Sequence, residues 1–140
     1  MKPNNMRKAY AELFLADRKV VQLSGDAEDA RQDVVAVIGR FQTEMERTGG
    51  LAAEQGDAAT MTAAQELLER AVWIRITVNR DLLAYLDTAA DLGAARAMVE
   101  EANDRLAKVA SGTARAIKRF EKAAPVLASI EKLVKFVKEH

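Results

Sequence analysis

Leu68-Glu69-Arg70-Ala71-Val72-Trp73-Ile74-Arg75-Ile76-Thr77-Val78 reads in two ways. Taken every second residue it alternates like a β-strand, with Val72, Ile74, Ile76 and Val78 on one side. Taken at helical spacing, Leu67, Ala71, Ile74, Val78, Leu82, Tyr85 and Ala89 form an unbroken stripe that Val72, Ile76, Leu83 and Leu86 broaden. A strand needs a partner for its backbone N–H and C=O groups, and no other stretch of this chain alternates or is rich in β-branched residues. The helical reading wins. Crowding of β-branched side chains costs only tenths of a kcal/mol per residue, and burial at about 1.5–3 kcal/mol per side chain outweighs it. The segment is therefore expected to be the most enclosed helix of the domain.

Composition agrees. The 140 residues suit one domain, 1–140, large enough to bury a core without staples. Hydrophobic residues make up 49% and charged residues 30%, which fits a globular chain and argues against disorder. Alanine is abundant, and the prolines are Pro3 and Pro125, so little interrupts helices. The chain has no cysteine, which excludes disulfides, thiol catalysis and thiolate metal sites. No apolar run approaches the roughly 20 residues of a membrane span, and no hydrophobic signal core follows Met1. A soluble, cytoplasmic protein is the expectation. Net charge is zero, a poor match to a nucleic-acid binder, but its distribution is uneven. Residues 2–19 and 115–138 are basic and 26–57 acidic, as suits helices that pack with complementary faces.

Outward from the central segment, Met6, Tyr10, Leu13, Phe14, Val20 and Val21 predict a first helix over about residues 5–23. Asp26 and Asp29 favour the next N-terminus, and Ala30, Val34, Val37, Ile38, Phe41 and Met45 supply the buried face of a second helix. Thr48-Gly49-Gly50 is read as its end, and the glycine-rich 48–59 as a long mobile loop. Thr62 with Gln65 resembles a capping box opening the third helix. Gly93 is read as the left-handed turn after it. Met98, Ala102, Leu106, Val109, Ile117 and Phe120 continue in a fourth helix that runs through Gly112 to Pro125. There a kink or short break precedes a terminal helix carrying Leu127, Ile130, Val134 and Val137. The whole predicts an all-α, up-and-down antiparallel four-helix bundle with an additional C-terminal helix after Pro125.

Groups that could carry chemistry are few. The sole histidine is the terminal His140, and the sequence has no Glu-x-x-His pair, phosphate loop or dinucleotide turn. Glu100, Glu101 and Asp104 lie among Arg96, Arg105 and Lys108, the pattern of a solvated face. No enzyme, cofactor or metal is expected. Arg75 and Asn79, one turn apart, could grip a small carboxylate between helices; the plain structural reading makes Arg75 a boundary arginine with a polar partner. Trp73 falls with Arg70, Thr77 and Arg80 on the less apolar face. It is either covered by the terminal helix or serves as an anchor for a partner or second copy. The amphipathic, basic stretch 125–138 could lie on a membrane surface, but its register runs on from the preceding helix and favours docking on the bundle.

Ile76-Thr77-Val78-Asn79-Arg80-Asp81-Leu82-Leu83, followed by Asp87, resembles the third-helix region of the four-helix-bundle sensor domains of bacterial chemoreceptors. The resemblance covers a small part of the chain and implies small-ligand sensing as one reading. The leading expectation is a non-enzymatic interaction module that self-associates, as a homodimer for example, or binds a protein partner. The alternatives are a carboxylate sensor bundle and a peripheral membrane-surface protein.

Overall fold

The computed structural model describes residues 7–12, 25–79, 92–109 and 115–139, and all of its elements are helical. The expected all-α bundle is the fold. Besides a helical segment at 7–12, it consists of α1 (Gly25–Glu54), α2 (Ala58–Thr77), α3 (Leu92–Val109) and α4 (Ala116–Glu139). The central stretch is helical, and Val78 and Asn79 continue it in a wider, π-type turn.

Contacts across the bundle give the directions. Residues 49 and 64, then 42 and 75, meet between α1 and α2, so that pair is antiparallel. Glu44 meets Arg119 and Gln55 meets Ala116, so α4 is also antiparallel to α1. Arg96 reaches Asp29 and Asp33 while Arg40 reaches Asn103, so α3 runs parallel to α1. The chain thus alternates up and down from α1 to α4. Among the described residues α1 and α4 each pack against the other three helices, whereas α2 and α3 barely meet. The cross-section is a rhombus with α1 and α4 on its short diagonal.

Of the helix expected at the centre, the described part is residues 58–79. Among the described residues the largest fully buried side chains are Phe41, Ile38 and Met45, all on α1, and the predicted α1 face is buried from Ala30 to Met45. On α2, Ala71, Val72, Ile76 and Val78 are buried, but Leu67 and Ile74 are only partly so. Leu82, Tyr85 and the rest of that stripe lie outside the described residues, as do Gly112 and Leu13, Phe14, Val20 and Val21 of the first helix.

Element ends depart from expectation for identifiable reasons. α1 does not stop at Thr48-Gly49-Gly50 but continues to Glu54. Each helical glycine costs about 1 kcal/mol, and full burial of Thr48 and Ala52 on either side offsets it. The stop is Gly56, at φ +70°. The Asp57 N–H donates to the Ala52 carbonyl (2.8 Å) and the Gly56 N–H to that of Ala53 (3.3 Å), a Schellman ending. The long loop is therefore only residues 55–57. Asp57, not Thr62, caps α2, accepting from the Thr60 N–H (3.1 Å) and hydroxyl (2.6 Å). These bonds to Thr60 hold its carboxyl below the ordinary 3.8 of an aspartate.

Gly93 lies within the first turn of α3 rather than in a left-handed turn. Pro125 lies inside α4, which runs unbroken from Ala116, so the terminal helix begins nine residues before the proline. Val126, Leu127, Ile130, Leu133 and Val137 belong to the main core, which docks this helix on the bundle. Pro125 itself is exposed, so its ring meets solvent rather than a neighbouring helix. No helix among the described residues is long and apolar enough to cross a membrane.

Candidate functional site

The open side of the rhombus is where α1 faces out between α2 and α3. A cleft of about 760 Å³ lies there. Its floor is the stretch of α1 from Ala36 to Arg47, one wall is Arg75 of α2, and the other is Asn103, Leu106 and Ala107 of α3. Tyr10, from the helical segment 7–12, closes one end. A smaller recess of about 310 Å³ continues along the α1–α3 seam past Asp33, Arg96 and Glu100. Small residues make the opening: a Cβ built on Gly39 would meet nothing within 4 Å.

Polar groups line this space in an ordered way. Nη1 of Arg75 faces the Gln42 side-chain oxygen at 3.5 Å, and Nη1 of Arg40 donates to that of Asn103 at 2.9 Å. Glu44, only 6% exposed, accepts from Nε (3.0 Å) and Nη2 (2.8 Å) of Arg119, which reaches in from α4. The Thr48 hydroxyl donates to the same carboxylate oxygen at 3.3 Å. A buried carboxylate needs such compensation, and here it also ties α1 to α4. The Tyr10 hydroxyl points at Glu46 (3.5 Å). Partial burial, the Glu46 charge and that hydrogen bond raise its phenol above the ordinary 10, so it remains a neutral donor.

Arg75 is half-buried on the cleft wall, and Asn79, one turn further along the same helix, is buried. Trp73 is half-buried and packs on Ala9, Val72 and Ile76. The segment 7–12 therefore contributes to its cover, where the terminal helix was expected. Arg70 is exposed and pairs with Glu131 of α4. Thr77 donates to the Trp73 carbonyl, an intrahelical bond, and Arg80 lies outside the described residues.

Sequence reasoning missed Tyr10, Arg40, Arg47 and Asn103. Tyr10 was assigned to a buried stripe, yet at 40% it is the exposed large hydrophobic among the described residues, and Ala9 is the buried one. A signal did exist on α1: Asp33, Ala36, Arg40, Thr43 and Arg47 recur at spacings of three and four, opposite the apolar face, and all are exposed. Glu101 pairs with Arg105 on the exposed side of α3 at 2.8 Å. Among the described residues no group of three or more histidine or carboxylate side chains is placed to hold a metal ion. No protein-family model, curated protein or solved structure matches this chain.

Proposed function

We propose that this chain is a non-enzymatic interaction module that pairs with a second copy of itself along the exposed face of α1. The observation that carries this reading is the self-complementary order of that face. Asp33 and Arg47 lie equally far on either side of Arg40, with the small residues Ala36 and Gly39 and the short Thr43 between. A two-fold axis near Arg40 would set two such faces antiparallel. Asp33 of each copy, which also lies 3.8 Å from Arg96 of its own chain, would then meet Arg47 of the other, the reciprocal contact an isologous dimer requires. Small side chains let helices approach to about 8–10 Å, and Tyr10 at the edge adds an amphipathic contact. Arg40, drawn aside by Asn103, is held off the axis.

The test is a charge swap followed by sedimentation velocity across a concentration series. The natural chain should dimerise. Arg47→Asp turns both cross-pairs repulsive and should weaken association by at least about tenfold, the equivalent of about 1.4 kcal/mol. The double variant Asp33→Arg/Arg47→Asp restores opposite charges and should recover most of the affinity. A natural chain that stays monomeric throughout, or a dimer indifferent to both variants, refutes the reading.

A further inference from the structure

We infer that the outer face of α4 docks on an anionic phospholipid membrane. The distribution of charge over the fold is the first reason. α2 and α3 each carry equal numbers of acidic and basic residues. α1 carries seven carboxylates against three arginines, and α4 six basic residues against three glutamates. The imbalance of these four helices thus lies along the short diagonal of the rhombus, acidic at one end and basic at the other. Such a molecule, with zero net charge, is not repelled by a negative surface but is turned by it, with α4 foremost.

The make-up of the α4 face is the second reason. Val126, Leu127, Ile130 and Leu133 are in the core, so the helix lies along the bundle with its polar side outward. Lys118, Pro125 and Lys132 recur every seven residues and share one side of the helix, with Lys135 one turn further on. All four are exposed, and the row from Lys118 to Lys135 is about 26 Å long. Over its middle, residues 123–130, the exposed side chains are Pro125 and Ala128, both too short to hold a flat surface away from the lysines. Glu131 is held by Arg70 of α2, and Glu121 lies 3.6 Å from Lys118. No carboxylate among the described residues pairs with Lys132 or Lys135, so the second half of α4 carries the uncompensated charge.

The chemistry of these cations selects the partner. A lysine ammonium is a compact, strongly hydrated point charge on a flexible stem, which suits a diffuse sheet of head groups. Single-stranded nucleic acid is held by a basic groove with aromatic side chains for its bases, but this face is the straight side of a helix, and Phe120 and Phe136 are half-buried. The α1 face proposed for self-association points the opposite way. Either surface can be occupied without the other, so the two proposals fail separately.

The experiment is flotation of the full chain with phosphatidylserine–phosphatidylcholine vesicles and with phosphatidylcholine vesicles, at low and at high salt. The chain should bind the phosphatidylserine vesicles at low salt, release them as salt rises, and ignore phosphatidylcholine. Lys132→Gln/Lys135→Gln should weaken binding about thirtyfold, which corresponds to about 1 kcal/mol for each lysine. Both residues are exposed, so an unchanged melting temperature should accompany the loss. Arg7→Gln/Lys8→Gln removes the same charge from exposed positions of the 7–12 segment and should leave most of the binding. No binding to phosphatidylserine at low salt, equal binding to phosphatidylcholine, or equal loss in the two double variants overturns the inference. Tighter binding of duplex DNA than of vesicles, with the same dependence on Lys132 and Lys135, assigns the face to nucleic acid and overturns it as well.

Discussion

Replacing Pro125 by alanine tests the most unexpected element of the fold. Pro125 sits inside α4, and Ala123, Val126, Leu127 and Ile130 around it are buried. A proline there lacks the N–H that would donate to the carbonyl of Glu121, and its ring crowds that carbonyl. In a helix interior the difference from alanine is about 3 kcal/mol, a figure that already includes the stiffer unfolded chain. Packing on either side has absorbed part of the distortion, so Pro125→Ala should stabilise by about 1–3 kcal/mol. At about 2.1 cal/mol/K per residue, a chain of this length has an unfolding entropy of about 0.29 kcal/mol/K. The melting temperature should therefore rise by about 3–10 °C. Thermal and urea melts followed by circular dichroism measure this, and an unchanged urea slope shows that the denatured state is not the cause. A variant no more stable than the parent would mean that the chain does not pass through residue 125 as one helix.

Two further outcomes follow from local geometry. Alanine at Gly39 or Gly50 meets open space in a helix and should stabilise by up to about 1 kcal/mol, whereas Gly56→Ala, at φ +70°, should cost about 1–2 kcal/mol; denaturant melts in which all three shift alike would contradict the assigned end of α1. Asp57 has a depressed folded pKa, so its capping contribution is fully present above the ordinary 3.8 and is lost as pH falls through the lower folded value. The stability advantage of the natural chain over Asp57→Ala should accordingly shrink below pH 3.8 in acid titrations, and a difference that does not change with pH there would argue against Asp57 as the cap.

The buried face of α1 was legible because period alone determines it: every predicted residue from Ala30 to Met45 is in the core. Helix ends were not. Gly49-Gly50 and Pro125 are local penalties, and neighbouring burial outweighs them, which only three-dimensional packing reveals. Gly56 was the true stop, yet it looked no different in sequence from the two glycines before it. The same limit applies to the site. Arg75 could be singled out as an arginine among isoleucines, but the cleft it lines needs Tyr10, Arg40 and Asn103, which come from other helices. Trp73 packs on Ala9, a residue with no pattern of its own. Helix register predicts what faces inward, and it says little about which outward faces come together.

The parallel seam between α1 and α3 has an electrostatic consequence. Each helix carries about half a positive charge at its N-terminus. Antiparallel neighbours set that charge beside a negative end, but α1 and α3 place two positive ends together, where Arg96 of α3 reaches Asp29 and Asp33 of α1. Arg96 alone would worsen this repulsion. The carboxylates of Asp29 and Asp33, 3.6 and 3.8 Å from Arg96, offset the charge that the arginine adds there. The acidic first turns of α1 thus balance the arginine where two helices lie side by side in the same direction.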